Sequence, residues 1–307
     1  MPLRFTLRQL EYFIAVGEAG SIALAAEKVN VTAPSMSSAI SQLEGAFGVQ
    51  LLLRRHAQGC ALTPEGERFI EQARTILAEA EKLNDMANLY SGSVRGSLSA
   101  GCLRTFVQFL VPQLRRSFEG RYPDIEFHQK VLDQEQIFDA LASARIDVAL
   151  TYDMALPNHV RFQPLCTLPT QVMLAVDHPL AGRPSLTAAD LVDFDMVLLD
   201  MPHSTDYFLS MFRAIGRRPR ISERTPEIAL QRSLVANGFG FGISNMRTAS
   251  EFSMDGKGLT FIPLETAVPP LQLGVASSRA TYVSRKIQAF INHCCEAAAA
   301  NRLPGLV

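Results

Sequence analysis

Ile22-Ala23-Leu24-Ala25-Ala26-Glu27-Lys28-Val29, followed after Asn30 by Val31-Thr32-Ala33-Pro34-Ser35-Met36-Ser37-Ser38-Ala39-Ile40-Ser41-Gln42-Leu43-Glu44, decides the fold of this chain. In the first segment Ile22, Ala25, Ala26 and Val29 recur at helical spacing, which predicts a short amphipathic helix. In the second, Met36, Ile40, Leu43 and Phe47 point inward and leave Ser35, Ser38 and Gln42 outward. Two helices this short bury little apolar surface alone and need a third. Residues 7–17 supply it, with Leu10, Phe13 and Ile14 behind a Thr6/Gln9 capping box. Three small helices that display one polar, uncharged helix predict a helix-turn-helix unit shaped for a DNA major groove.

The order and spacing of Val31 to Glu44, then Phe47-Gly48-Val49-Gln50-Leu51-Leu52, then Leu62-Thr63-Pro64-Glu65-Gly66, resemble the LysR-type transcriptional regulators. The resemblance is strongest over residues 5–90 and continues weakly to the C-terminus. Members usually carry Ser-Gln before the proline and an arginine within the helix; Thr32-Ala33 and Ser38 stand there in this chain. The resemblance implies an N-terminal winged helix-turn-helix, a long linker helix that pairs two chains, and a two-lobed α/β regulatory domain. That domain would have a fold like that of periplasmic solute-binding proteins, with two crossing connections.

A chain of 307 residues suggests two or three domains. The boundaries expected are 1–62 for the winged helix-turn-helix, 63–91 for the linker helix and 92–307 for the regulatory domain. Within the last, lobe I spans about 93–167 and 269–307, and lobe II about 168–268. No apolar run is long enough to span a bilayer and the N-terminus lacks a signal peptide's apolar stretch, so a cytoplasmic protein with no membrane partner is expected. The five cysteines are scattered and odd in number, which argues against a disulfide framework.

The formal net charge is −1, and residues 1–62 hold five Arg/Lys against four Glu. A monomer this weakly basic would hold DNA poorly, because phosphate contacts supply most non-specific affinity. Two or four copies on one DNA would repair that, so homodimer or homotetramer formation is expected. From Thr63, an N-cap with Pro64 in the first turn, a helix can run to about Tyr90, roughly 40 Å. Phe69, Ala73, Ile76, Ala80, Leu83, Ala87 and Tyr90 alternate at four and three residues along it, a coiled-coil seam for a second chain. The competing reading is a helix packed on its own domain.

Candidate DNA contacts are Thr32, Ala33, Pro34, Ser35, Ser37, Ser38, Ser41 and Gln42, with Arg54 and Arg55 of the wing reaching phosphate or the minor groove. No arginine or lysine lies on the helix, so direct readout is modest, and wing contacts, dimer spacing and DNA bending add to specificity.

Beyond the linker, strands at 96–102, 125–132 and 147–151 alternate with helices at 106–121 and 136–144, at the length of parallel crossovers. The pattern recurs with strands at 171–176, 196–199, 220–224 and 240–244 and helices at 204–216 and 226–237, the last capped by Thr225. Two such halves suggest two lobes with a cleft. Ligands sit at the carboxyl ends of strands and near helix starts, which singles out Leu103, Arg104, Thr105, Gln134, Thr151, Met201, Pro202, His203 and Asn245. The resemblance makes Thr105 a hydroxyl contact to effector; otherwise it caps the helix behind it. It also places Asn245 where the family often has proline. Arg104 admits an anionic effector.

Gly238-Phe239-Gly240-Phe241-Gly242 ends a helix and starts a strand, the reverse of a dinucleotide fingerprint, and reads as a helix cap and turn. There is no Gly-x-Ser-x-Gly elbow. His293, Cys294 and Cys295 point about 100° apart on a helix and do not suit one metal. Neither a cofactor nor enzymatic activity is expected. The expected function is transcriptional control through a small-molecule effector, with RNA polymerase as a further candidate partner. A rival from another class is a two-lobed binding protein or enzyme with an N-terminal interaction module; a constitutive regulator is a third reading.

Overall fold

Thr6 accepts a hydrogen bond from the Gln9 amide while the Gln9 side chain accepts from the Thr6 amide, and this capping box starts α1, Leu7–Ala19. The computed structural model describes residues 3–55, 59–91, 93–246, 248, 250–279, 283–300 and 302–303, and only the backbone of 54–55, 82 and 84–91. Ser21 caps α2, Ile22–Lys28, and Thr32 caps α3, Ala33–Phe47, which ends at Gly48 in the left-handed region. α2 stops at Lys28, so Val29, expected on the inward face, is its exposed C-cap. Phe47 is also more exposed than expected, yet its ring packs between Phe5 and Phe69 at 5.2 and 4.8 Å. Leu10, Phe13, Ala25, Met36, Ile40 and Leu43 form the core.

β1, Leu52–Arg55, pairs antiparallel with β2, Gly59–Leu62, to make the wing. Glu44 of α3 accepts hydrogen bonds from the Leu51 and Leu52 amides at 2.8 and 3.1 Å, tying the wing to the displayed helix. α4, Pro64–Ser91, begins where Thr63 accepts from the Gly66 amide at 2.8 Å and donates to the Gln50 carbonyl. A Cβ on Gly66 would sit 2.2 Å from the Leu51 carbonyl oxygen. The Leu-Thr-Pro-Glu-Gly sequence is therefore a helix start pressed against the chain that enters the wing.

The chain divides into two compact units, Met1–Ser93 and nearly all of Val94–Val307. In the second, the chain runs β3 (Gly96–Leu103), α5 (Val107–Arg121), β4 (Ile125–Leu132), α6 (Gln134–Ala142), β5 (Val148–Tyr152) and β6 (Val160–Leu168). It crosses into a second lobe of β7 (Gln171–Ala175), β8 (Leu186–Thr187), α7 (Ala188–Leu191), β9 (Asp195–Leu199), α8 (Ser204–Arg213), β10 (Arg220–Thr225), α9 (Ile228–Ala236), β11 (Gly242–Ser244) and β12 (Leu259–Glu265). It then returns as β13 (Leu271–Ser278) and α10 (Arg285–Ala299).

The first lobe's sheet has the order β4-β3-β5-β13-β6, and the second pairs β11-β7-β12-β8 and β10-β9. Phe241 joins these last two sets, its amide donating to Asp195 and its carbonyl accepting from Val197, both at 2.8 Å. Gly240 permits that approach, since a Cβ there would sit 2.2 Å from the Asp195 oxygen. The two-lobed α/β expectation holds, but the sheets are mixed rather than parallel. β13 runs antiparallel to β5 and β6, and β7 antiparallel to β11 and β12. The reason is that β6 follows β5 without a helix and β13 comes back from the other lobe. Each lobe has its own apolar core.

Two helix starts differ from expectation. α6 begins at Gln134, because Asp133 and Gln136 cap each other's amides at 2.9 and 3.1 Å. α9 begins at Ile228, with Glu227 at the cap; Thr225 accepts from the Glu227 amide and shapes the turn before it.

Candidate functional site: the displayed helix and the two-lobed cleft

On α3, Met36, Ile40 and Leu43 anchor one side in the core, and Pro34, Ser35, Ser38, Ser41 and Gln42 lie exposed on the other. Thr32 is occupied as the cap, accepting from the Ser35 amide and donating to its hydroxyl. Gln42 accepts from the Gln9 side chain at 3.1 Å, so α1 orients it. Ala33 and Ser37 are half-buried and stand off the exposed row. Arg54 and Arg55 end β1; their side chains, and the turn at 56–58, lie outside the described residues.

The seam of α4 divides in two. Phe69, Ala73 and Ile76 pack into the core of their own unit, with Phe69 edge-on to Phe13 at 5.7 Å. Buried Ala73 is thus corrected from a dimer contact to a core residue. Further along, Ala80 is half-exposed and Leu83 is 70% exposed. The side chains of Ala87 and Tyr90 lie outside the described residues.

In the second unit, the residues singled out at strand ends separate by role. Leu103 and Met201 are buried and pack in the cores of the two lobes. Gln134 and Thr151 are also buried, and they satisfy each other. The Thr151 hydroxyl donates to Gln134 Oε1 at 2.7 Å, and Gln134 Nε2 donates to the Tyr152 and Met154 carbonyls. These three hydrogen bonds fix the β5–α6 corner.

Thr105 differs. It is buried, and α5 has no side-chain cap, so it does not cap the helix behind it; its hydroxyl interacts with the Tyr152 phenol without full hydrogen-bond geometry. It lies toward the phenol of Tyr152, whose ionisation burial pushes up. Tyr152 packs edge-on against Phe106 at 4.9 Å. Asn245 is buried too; its Nδ2 donates to the Leu168 carbonyl and Thr170 hydroxyl, while Oδ1 has no partner. A buried polar group without a partner costs roughly 1–3 kcal/mol, and Gln171 Oε1 and Gln231 Oε1 in the same unit also lack one.

Pro202 is exposed, and His203 of the second lobe reaches Glu135 of the first, Nε2 to Oε1, at 3.6 Å. Arg104 is exposed, with no hydrogen bond or ion pair from its side chain among the described residues. Glu135 and Tyr207 escaped the sequence reading. Tyr207 follows His203 by four residues, a signal that only a known helix register would reveal.

No group of three or more His, Cys, Asp or Glu among the described residues could hold a metal ion. Burial pushes up the thiols of Cys102, Cys166, Cys294 and Cys295. Redox-sensing cysteines need the opposite shift. No described helix is long and apolar enough to cross a membrane.

Residues 7–67 match the bacterial regulatory helix-turn-helix model of the lysR family, and residues 91–299 match the LysR substrate binding domain. This chain belongs to the LysR family of transcriptional regulators. The family is one of regulators rather than enzymes. The chain is 32% identical over 239 residues to the Hca operon transcriptional activator HcaR of Escherichia coli, covering 76% of this chain and 79% of that protein. It is 28% identical over 235 residues to a hydrogen peroxide-inducible genes activator of Pectobacterium carotovorum, covering 76% and 78%. Among solved structures, HinK, a LysR family regulator from Pseudomonas aeruginosa, superposes with a TM-score of 0.65 at 31% identity, over 96% of this chain and 99% of that one.

Proposed function

We propose that this LysR-family regulator binds double-stranded DNA through residues 1–62, pairs as a homodimer or homotetramer along 63–91, and senses a small organic anion between the lobes of 92–307. The DNA reading is carried by α3, whose exposed row of Pro34, Ser35, Ser38, Ser41 and Gln42 lies opposite a fully packed face. Arg54 and Arg55 would add phosphate contacts. Pairing would use Ala80 and Leu83, which the core leaves over, together with Ala87 and Tyr90 further along the heptad pattern. The effector reading is supported by the buried Thr105 hydroxyl and the unpartnered Asn245 carbonyl oxygen, with exposed Arg104 next to Thr105 in the chain as a cation for the anion.

An effector acts only through unequal affinity for two lobe arrangements, and the resulting change in dimer geometry would alter the DNA and its access to RNA polymerase. A cytoplasmic location follows from this role. The test is a salt titration of DNA binding by Arg54→Ala/Arg55→Ala. Each lost phosphate contact should reduce the slope of log K against log salt by about one. An unchanged slope and affinity would favour the interaction-module reading of the N-terminal unit.

A further inference from the structure

The start of α8 holds a strained backbone. His203 has φ +63° and ψ −37°, and the Ser204 amide donates to the Pro202 carbonyl across it at 2.8 Å. This is a γ-turn of the hand that L-residues disfavour, and it persists only where surrounding contacts enforce it. Glu135 of α6 in the opposite lobe supplies one such contact, at 3.6 Å from His203. The other carboxylates beside the helix start are engaged elsewhere: Asp200 with Arg224 and Thr205, and Asp206 with Arg213.

One turn along α8 stands Tyr207, whose amide donates to the His203 carbonyl at 3.1 Å. Its phenol donates to the Pro269 carbonyl at 3.1 Å and lies 3.2 Å from the Thr170 hydroxyl and 3.4 Å from Asn245 Nδ2. Thr170 and Pro269 belong one to each of the two crossovers between the lobes. Both crossovers carry proline, as Leu168-Pro169-Thr170 and Val268-Pro269-Pro270. Proline fixes φ, so lobe rotation must use the few remaining dihedrals beside the Tyr207 phenol. The Tyr207 ring also packs against the cores of both lobes.

The geometry assigns to α8 the role of a lever, with Tyr207 as the positioning residue that ties the cross-cleft His203–Glu135 contact to both crossovers. Whatever breaks that contact loosens the hinge, and whatever strengthens it stiffens the hinge. A ligand entering between the lobes would act on His203 first. The regulatory meaning of the lever rests on the cleft being the effector site, but the coupling is a property of the ligand-free chain.

Hydrogen exchange read by mass spectrometry on the full-length, ligand-free protein tests it. Tyr207→Phe keeps the ring and removes the hydroxyl. Exchange should rise roughly three- to tenfold in peptides spanning 170–171 and 266–268, with β3, β5 and α5 unchanged. His203→Ala and Glu135→Ala should each raise exchange in the same peptides, and the double variant should add nothing to either single one. Unchanged crossovers in any variant, a rise spread evenly over the unit, or additive single effects would each overturn the lever. Failure of every organic anion to bind would instead strike the effector reading and leave these exchange results standing.

Discussion

The exposed row of α3 occupies residues 34–42 of one helix, whereas the cleft gathers Thr105, Glu135, Tyr152, His203, Tyr207 and Asn245 across 140 residues. In the first region one helix sets every contact, and the core beneath it only holds that helix at the right angle. In the second, the side chains arrive on separate elements, apart from His203 and Tyr207 at the start of α8, and the Asn245 carbonyl oxygen is buried without a partner. A rigid surface suits a partner of fixed shape such as the duplex groove. A cleft with unmet hydrogen bonds suits a partner whose arrival changes something.

The contrast breaks most visibly if the first unit tolerates damage at its tight backbone contact. Gly66→Ala drives a Cβ to 2.2 Å from the Leu51 carbonyl oxygen. It should destabilise the N-terminal unit by about 3 kcal/mol and leave the thermal transition of the regulatory unit in place. Calorimetry of the full chain resolves the two, and an unshifted N-terminal transition would remove the physical reason offered for this glycine. Next in size is Leu83→Asp, which places a charge on the seam where Leu83 is 70% exposed. Sedimentation should show the dimer weakened by about 2 kcal/mol, near thirtyfold, with helix content unchanged. A dimer of undiminished strength would move the pairing surface off α4.

Much of the first region was legible because its signals are local. The Thr6/Gln9 box, the Thr63 cap and the apolar spacing of Met36, Ile40 and Leu43 are all read within a few residues, whereas the Thr32 cap was not. The heptad seam was legible only in part. Periodicity does not say whether a stripe faces its own domain or another chain, and Ala73 answers to the former. The cleft was less accessible for a different reason. Strand-end positions identified Thr105, His203 and Asn245, but they could not distinguish these from Gln134 and Thr151, which satisfy each other. Glu135 lies next to Gln134 in sequence, yet its partner is 68 residues away. β6 carries Pro164, which breaks a strand pattern in sequence but which an edge strand with a register shift tolerates.

Two smaller effects sharpen the contrast. Ser38→Arg adds a bidentate donor to an exposed position of α3 and should tighten DNA binding about tenfold. Selection from a randomised duplex pool should then enrich guanine, and an unaltered base preference would place Ser38 outside the groove. Thr105→Val deletes a buried hydroxyl that approaches the Tyr152 phenol without full hydrogen-bond geometry. It should leave stability unchanged or raise it by about 1 kcal/mol, while abolishing any effector response. A loss of stability would mean that the hydroxyl has a structural partner and is not waiting for a ligand.

The most direct test of the account is fluorescence-anisotropy titration of the purified full-length chain on DNA fragments from beside its own gene, repeated across a salt series. An α3 surface assisted by the wing and doubled by α4 predicts saturable, fragment-selective binding that weakens steeply as salt rises. Weak binding of equal strength on every fragment would contradict it.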